Sequence, residues 1–384
     1  METAQITPQE RVQTVKNVAE RVAQWSEDSA KNVLLLPAIL VVLLLSIFPL
    51  LVSLYLAFAR VEFQRGAPVI TWVGTANFAK LLIGSEQRHF LGRFGDINPI
   101  GWAIFLAFAA FMIFMYVRYL LSPRRSLFGA ILRIVAIVFG GALALLMIAT
   151  LTTETGLPGT LVVTLIFVFV GVTAQYLLGL GLALLVTQNI PGKRFFRVVF
   201  LLPMMITPVG VGFLARMLAD TVKGPLAPIW QAIGLGAFSW GDSASGARTV
   251  VLLGDIWQWT PFMFIMLLAA LEATSREQIE AALVDGATRL SMFRYIILPQ
   301  ILPVSTTLVL IRLIEAFKII DMPNILLGGG PGTATESLTL HAYKYWASLD
   351  LGSSAALAYL MLAVVTYIAV VYVNSVRRRL VENL

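Results

Sequence analysis

Cysteine is absent from the 384 residues of this chain, and histidine occurs only twice, as His89 and His341. The absence of cysteine excludes disulfides and thiolate metal sites, and a total of two histidines argues against a histidine-built metal centre. Charged residues are scarce at 13%, whereas hydrophobic residues make up 58% and the mean hydropathy is +0.84. A soluble globular domain does not need such a composition. The sequence therefore predicts an integral membrane protein that binds no metal or cofactor of its own.

A basic balance accompanies this hydrophobicity, with a formal net charge of +7 and a pI near 9.7. In a soluble protein this balance could indicate a nucleic-acid partner. In a membrane chain the same residues are typical of the basic loops that fix orientation. We therefore expect contact with membrane lipid and no contact with nucleic acid.

Apolar stretches long enough to span a bilayer, about 20 residues each, recur along the chain. They cover residues 33–59, 100–117, 127–150, 161–186, 198–218, 250–271, 301–320 and 353–376. The predicted fold is all-α and polytopic, with about eight transmembrane helices. Pro203 and Pro208 lie inside the fifth stretch, which we expect to be kinked or broken rather than straight.

The distribution of lysine and arginine tests this arrangement. With both termini inside, the predicted inner segments hold twice as many basic residues as the outer segments, as the positive-inside rule requires. Dropping one span would reverse the bias. Both termini are therefore expected in the cytoplasm, with residues 60–99 forming an outer loop.

The two ends of the chain are polar. Residues 1–32 carry apolar side chains at helical spacing, which predicts a cytoplasmic amphipathic helix. Acidic residues outnumber basic ones in this segment, so docking on a protein or loose interfacial contact is favoured over attraction to anionic lipid. Residues 377–384 form a short cytoplasmic tail that begins with three arginines.

A polar island, residues 272–300, separates two of the apolar stretches. Thr274 and Glu277 have the spacing of a capping box, so a short helix is expected to begin there. Gly286 stands where that helix would end in a left-handed turn. A second short helix is expected to follow until Pro299 and Pro303 interrupt it. The island is therefore predicted to form two short helices bent at a glycine.

The same island carries a family resemblance. Its sequence from residue 280 to 299, EAALVDGATRLSMFRYIILP, resembles the EAA loop of membrane subunits of binding-protein-dependent ABC importers. The wording is closest to the carbohydrate class, the family of the maltose and glycerol-phosphate permeases. In that family the loop is the coupling helix, which seats in a groove of the cytoplasmic ATPase subunit.

This resemblance implies a type I importer permease core over residues 161–376. It assigns ATPase coupling to Glu280, Ala281, Ala282, Asp285, Gly286, Leu298 and Pro299. It also implies a second, homologous permease subunit, two ATPase subunits that bind ATP and Mg, and an extracytoplasmic solute-binding protein. The transported solute would be a sugar or polyol, and the membrane would be a bacterial cytoplasmic (inner) membrane.

Two further segments bear on the resemblance. Residues 72–78, WVGTANF, resemble the segment that follows the first helix in this family. In most relatives the core would begin directly afterwards, so the helix pair within residues 100–150 looks like an insertion.

Charged residues inside predicted spans need a partner or a function because an unpaired charge in a bilayer is unfavourable. Arg312, Glu315 and Lys318 recur along one helix, and Asp255 lies on the preceding span. One interpretation is a buried ion pair, Asp255–Arg312 or Arg312–Glu315, that holds helices together. The other is a polar lining of the translocation path. We favour the structural ion pair.

Sugar recognition requires hydrogen-bonding groups beside an aromatic face. Trp257, Gln258 and Trp259 could supply both on the sixth span, and Gln175 and Asn324 are weaker candidates. The alternative for the tryptophans is anchoring near the bilayer edge, where tryptophan is enriched. The sequence leaves these two interpretations open.

The glycine run at residues 328–333, GGGPGT, lacks the pattern of a phosphate-binding loop. Together with the following residues it resembles an outer loop of the family that lies beside the docked binding protein, which makes Gly330, Pro331 and Glu336 contact candidates. The sequence holds no Walker motif, so hydrolysis of ATP is expected on partner subunits and the chain is not expected to be an enzyme. The alternative, an ion-coupled secondary transporter that uses Asp255, Glu315 and Lys318, gives no role to a docking loop, and no inverted repeat is evident.

Overall fold

A computed structural model of the chain describes residues 34–64, 67–121, 126–153, 155–188 and 191–382. The predicted amphipathic segment 1–32 and the side chains of the tail 377–384 lie outside the described residues. The chain divides into two units, residues 1–56 and 57–384, which are described separately. In the first unit, the described residues belong to the helix α1, Leu34–Ala57. Ala57, the last residue of this helix, is the first residue of the second unit. One π-helical turn, Leu43–Ile47, lies within α1.

The second unit begins with small elements where the sequence predicted a loop. Two strands, β1 (Ala59–Gln64) and β2 (Ala67–Trp72), form an antiparallel hairpin. The hairpin is a detail within the predicted loop, and its β-branched and aromatic residues are typical of strands. The remaining elements of this region are α2 (Ala76–Leu82), α3 (Gln87–Phe90) and β3 (Gly92–Arg93), which pairs with β4 (Leu157–Pro158).

Asn77, in the segment that follows the hairpin, bonds back to the residues around the start of β1. Its buried amide nitrogen donates to the carbonyl oxygens of Ala57 and Ala59, both at 2.9 Å. Lys80, one turn later, binds Asp350 at 2.9 Å. These bonds hold the start of the hairpin against the beginning of the last long helix, where a Cβ atom on Gly352 would lie 2.4 Å from the carbonyl oxygen of Ala59.

Long helices make up most of the rest. They and the shorter helices between them are α4 (Pro99–Leu120), α5 (Leu127–Leu151), α6 (Thr160–Val186), α7 (Lys193–Met205), α8 (Pro208–Ala219), α9 (Ala227–Ala232), α10 (Ala244–Glu272), α11 (Arg276–Val284), α12 (Arg289–Met292), α13 (Leu298–Ala316), α14 (Asp321–Leu327), α15 (Leu338–Ala347) and α16 (Leu351–Glu382). Within the described residues, seven helices are long and apolar enough to cross a membrane, or eight if a bent pair counts as one span. The prediction of a helical, polytopic fold with about eight spans is confirmed.

The bent pair is α7 and α8, which meet at 97°. Pro208 restricts Thr207 to an extended conformation, since the α region is disfavoured before proline, and Thr207 has φ −62° and ψ 146°. The hydroxyl of Thr207 then accepts from the amide of Gly210 at 3.3 Å and caps α8. The predicted break at the two prolines is confirmed.

The helices α6 and α10 are the centre of the second unit. A Cβ atom on Gly179 would lie 2.6 Å from Cβ of Met263 and 2.9 Å from the amide nitrogen of Phe264. Glycine therefore allows these two helices to touch, as small residues do in membrane proteins. Apolar side chains from α6, α8, α10 and α14 fill the adjoining core: Val163, Phe167, Val211, Val251, Met322 and Leu326.

Within the predicted inserted pair, α4 and α5, the helix α5 contacts the last helix. The hydroxyl of Tyr367 on α16 donates to the carbonyl oxygen of Ala136 at 2.7 Å, and its ring meets that of Phe139 edge-on, with ring centres 4.7 Å apart. One polar bond and one aromatic contact therefore join α5 to α16.

Candidate coupling and translocation sites

The polar island forms two short helices, α11 and α12, joined at Gly286, and we refer to residues 276–292 as the knob. Gly286 has φ +75°. The amide of Ala287 donates to the carbonyl oxygen of Ala282 at 2.9 Å, and the amide of Gly286 donates to the carbonyl oxygen of Leu283 at 3.1 Å. These two bonds define a Schellman turn, which ends α11 at a left-handed glycine. The predicted bend at Gly286 is confirmed.

Two details of the knob differ from the prediction. The N-cap of α11 is Ser275, with no capping bond from its side chain, and the Thr274 hydroxyl donates to the Ala270 carbonyl instead. The prediction of a capping box is therefore wrong, because Thr274 still belongs to the turn that ends α10.

Pro299 and Pro303 also do not interrupt the helix, because residues 289–316 form one candidate span. A π turn, Phe293–Ile297, bonds the amide of Leu298 to the carbonyl of Phe293. The helix therefore continues into α13 with Pro299 in its first turn, where a missing N–H is tolerated.

The surface of the knob is unusually apolar for a polar segment. Val284 is 88% exposed, Leu290 74% and Leu283 56%. Of the predicted coupling residues, Glu280, Ala281, Asp285, Gly286 and Pro299 are exposed, Leu298 is half-buried and Ala282 is buried. Exposed apolar side chains grouped on a small projection are typical of a protein–protein contact.

In the middle of the spans, Gln175 of α6, Asp255 of α10 and Arg312 of α13 form what we call the buried triad. Nη2 of Arg312 donates to both carboxylate oxygens of Asp255, at 2.9 and 2.8 Å, and its Nε donates to Oε1 of Gln175 at 2.9 Å. Nε2 of Gln175 donates to Oδ2 of Asp255 at 2.8 Å. The predicted Asp255–Arg312 ion pair is confirmed, and Gln175 joins it rather than facing an open surface.

The members of the buried triad bond to one another and are shielded from solvent. Arg312 is only 2% exposed, and its guanidinium carbon lies 4.6 Å from the centre of the Trp259 ring. A bidentate arginine–carboxylate pair with a stacked aromatic face is among the most favourable ways to bury two charges. This cluster ties α6, α10 and α13 together.

Three consecutive candidates for sugar contact do not share a surface. Trp257 is 47% exposed, Gln258 is buried and donates to the carbonyl of Ile206 at 3.3 Å, and Trp259 covers Arg312. They diverge because neighbouring residues of an α-helix are about 100° apart. Gln258 instead supplies a donor to a backbone carbonyl freed by the break between α7 and α8, as backbone at membrane depth requires.

The remaining path candidates lie at the end of α13 and beyond. Glu315 is exposed and accepts from Lys318 at 2.7 Å, so it does not pair with Arg312. Asn324 on α14 is exposed. Both side chains are accessible at the surface of this chain.

The glycine loop, residues 328–337, combines exposed and buried candidates. Gly330 and Pro331 are half-buried, whereas Glu336 is 1% exposed. The Glu336 carboxylate accepts from His89 at 3.0 Å and from Lys344 at 2.6 Å. Burial raises the pKa of Glu336, but these two hydrogen bonds outweigh burial and leave its pKa below the usual value. The structure places this carboxylate inside the chain, where it is held by its neighbours.

Sequence reasoning missed the roles of Gln175, Trp259 and Gln258 as bonding partners within the spans. It also missed the cluster around Glu336, which includes both histidines. An uncharged amide inside an apolar helix was the available signal for Gln175 and Gln258, since such a group needs a partner in a bilayer. Nothing in the local sequence indicates the contacts of the histidines, which lie far apart in the chain.

Eight or so apolar spans, a broken helix and an exposed knob between two spans define the class: a multi-pass helical membrane protein. Residues 175–381 match the family described as binding-protein-dependent transport system inner membrane component. This match covers more than half of the chain, and the chain belongs to that family. It is accordingly a multi-pass inner membrane protein.

Named relatives agree with this assignment. The trehalose/maltose transport system permease protein MalF of Thermococcus litoralis is 32% identical over 217 residues, which cover 56% of this chain and 74% of the relative. The sn-glycerol-3-phosphate transport system permease protein UgpA of Yersinia pestis is 30% identical over 223 residues, which cover 56% of this chain and 74% of the relative.

A solved structure shares the fold over nearly the whole chain. It is that of a bacterial ABC transporter involved in the import of the acidic polysaccharide alginate, with a TM-score of 0.61, 19% identity, and coverage of 94% of this chain and 99% of the other. The unmatched share of this chain is too small to hold all of residues 100–150. At least part of the predicted inserted pair therefore has a structural counterpart there.

Proposed function

We propose that this chain is the permease subunit of an ATP-driven importer that carries a sugar or polyol across the inner membrane. The solute class is supported by relatives named for trehalose, maltose and glycerol 3-phosphate transport. The ion-coupled alternative has no comparable support, because the carboxylate of Asp255 is bound by Arg312 and Gln175.

The knob is the observation that carries the proposal. This otherwise polar segment exposes the apolar side chains of Leu283, Val284 and Leu290. They would be buried only when another protein covers them. The proposed partner is an ATPase subunit, with ATP and Mg held there and not on this chain. Two ATPase subunits and a second, homologous permease subunit would complete the transporter.

An orientation follows from this assignment. The knob and both termini would face the cytoplasm, whereas the glycine loop would face the outside, where an extracytoplasmic binding protein delivers the solute. Gly330 and Pro331 would contact that protein, and the buried Glu336 would hold their loop in shape. Along the path, the exposed Trp257, Glu315 and Asn324 are better placed to meet solute than the buried triad, whose members bond to one another.

Uptake into membrane vesicles tests the proposal. We would reconstitute the complete transporter with its binding protein and follow labelled trehalose, maltose and glycerol 3-phosphate. Uptake of at least one of these solutes should stop when ATP is depleted and continue when a protonophore collapses the proton gradient at constant ATP. Uptake that survives ATP depletion but not the protonophore would overturn the proposal.

A further inference from the structure

Both histidines of the chain meet beside the glycine loop. The rings of His89, near the end of α3, and His341, on α15, are stacked with their centres 3.8 Å apart and a 22° angle between planes. Glu86 stands one turn before His89. One ligand atom from each of Glu86, His89 and His341 lies within 4.8 Å of the other two. Two imidazoles and a carboxylate thus converge from two distant parts of the chain.

His341 contributes a nitrogen with no protein partner. The side chain is 1% exposed, and its Nδ1 lies 3.0 Å from the hydroxyl oxygen of Thr160. Its Nε2 is buried and has no hydrogen-bond partner among the residues that the structure describes. Buried polar atoms of this kind are rare and call for a ligand, a water or an ion.

His89 is held in a matching way by a carboxylate. Its Nε2 lies 3.0 Å from Oε1 of Glu336, and an ionised carboxylate only accepts, so Nε2 carries the proton. In a neutral ring the lone pair is then on Nδ1, which lies 3.6 Å from Oε2 of Glu86. A carboxylate behind a histidine is the usual outer partner of a metal-binding imidazole, because it fixes the tautomer and raises the basicity of the other nitrogen.

We propose that Glu86, His89 and His341 bind a divalent transition-metal ion of the Zn²⁺ type. Two imidazole nitrogens and a carboxylate oxygen are ligands that Zn²⁺ takes readily, and Glu336 and Thr160 orient the imidazoles. One metal bound by both rings would require the stacked planes to tilt apart, because an imidazole nitrogen binds a metal along the plane of its ring. Thr160 accepts from Nδ1 of His341 in the loaded state, which leaves Nε2 for the metal.

This site departs from the expectation that two histidines are too few for a metal centre. It would join the segment around α3 to α15 next to the glycine loop, and so stiffen that loop. Metal binding can be measured without transport. Its failure would therefore leave the proposed function untouched, and a failure of the proposed function would leave the site testable.

The first experiment measures retention of Zn²⁺ by the full chain in the assembled complex, in lipid nanodiscs. After a chelator strips the complex and Zn²⁺ is added, metal content is determined following gel filtration. Wild type should retain about one more Zn²⁺ per chain than His341→Ala or His89→Ala. Arg88→Gln, an exposed neighbour, should retain as much as wild type, and gel filtration reports assembly of every variant. Equal retention by wild type and both histidine variants, or none by wild type, would overturn the site.

The second experiment separates ligation from a structural role. Co²⁺ in a site of low coordination number has a strong visible absorption, which should appear in wild type and be absent from His341→Gln, a variant that keeps a polar side chain beside Thr160. Glu336→Gln should keep the absorption but weaken Co²⁺ binding about 10–100-fold, as loss of an outer partner does. An unchanged spectrum in His341→Gln, or unchanged affinity in Glu336→Gln, would contradict the proposal.

Discussion

The buried triad and the knob are both polar interruptions of an apolar chain, yet they are completed in opposite ways. Asp255, Arg312 and Gln175 satisfy one another within the described chain, and Trp259 covers them. The knob satisfies its own backbone through the turn at Gly286 but leaves Leu283, Val284 and Leu290 exposed. The triad is a closed structural unit, whereas we propose that the knob is half of an interface.

This difference predicts where substitutions act. A change in the buried triad should reduce the stability of the chain itself, because it leaves a charge unpaired in a dry interior. A change in the knob should spare the chain and reduce its interaction with a partner, because few intrachain contacts are lost. Substitutions that fail to separate these two outcomes would break the comparison.

The largest effect is expected from removing one member of the ion pair. Asp255→Asn or Arg312→Gln alone should destabilise the chain by about 3–5 kcal/mol, since each leaves an uncompensated buried charge. The double variant should recover much of this loss, because two neutral amides remain able to hydrogen-bond with Gln175. Thermal unfolding of the purified chain and its content in membranes provide the measurement.

Lys318→Gln is the matched control for this prediction. It removes an ion pair with Glu315 on the same stretch of chain, where both side chains are largely exposed. Exposed pairs contribute about 0–1 kcal/mol, so its unfolding temperature should stay close to wild type. If the single triad variants were as stable as this control while transport fell without rescue in the double variant, the triad would belong to the path instead.

An intermediate effect is expected at Gly286, where the comparison depends on backbone conformation. Gly286→Val places a β-branched residue at φ +75°, which is unfavourable by about 1–3 kcal/mol. Space is not the cause, since a Cβ atom there would meet nothing within 4 Å. Binding of the ATPase subunit should weaken by about 5–150-fold, the ratio that corresponds to this free energy. The stability of the spans should change little.

Gly286→Asn serves as the control, because asparagine tolerates the left-handed conformation. Pull-down of the ATPase subunit and solute uptake should both remain near wild type in this variant. Equal behaviour of the valine and asparagine variants would show that the left-handed turn is not what positions the knob.

Features set by one residue and its neighbours were predictable from the sequence. The break at Pro203 and Pro208 and the turn at Gly286 follow from local backbone restrictions. The Asp255–Arg312 pair was predictable for a different reason, because charges in a bilayer need partners. The spans themselves follow from long apolar runs.

Features that depend on distant contacts were not predictable. Gln175 has no charge to demand a specific partner, so its place in the triad required the packing of α6 on α10. The hairpin forms through the pairing of β1 with β2, and an isolated two-stranded hairpin is only marginally stable by itself. His89 and His341 meet because the region after the hairpin folds back onto α15, which no local pattern indicates. Trp257 and Trp259 were grouped by adjacency, although a helix separates adjacent side chains.

The smallest effect on the chain is expected at the most exposed apolar residue of the knob. Val284→Ser should leave the stability of the chain within about 0.5 kcal/mol of wild type, because 88% of the side chain is already exposed. If the ATPase subunit buries this side chain, about 1–2 kcal/mol of apolar contact is lost and binding weakens about 5–30-fold. Val138→Ser on α5 is the matched control, since the same substitution falls on a valine that is 66% exposed on an apolar span. It should leave ATPase binding unchanged. The affinities are measured by titrating surface-immobilised ATPase subunit with each purified chain. Equal affinity for the Val284→Ser and Val138→Ser variants would show that Val284 is not in the interface. The contrast between the knob and the triad would then not hold.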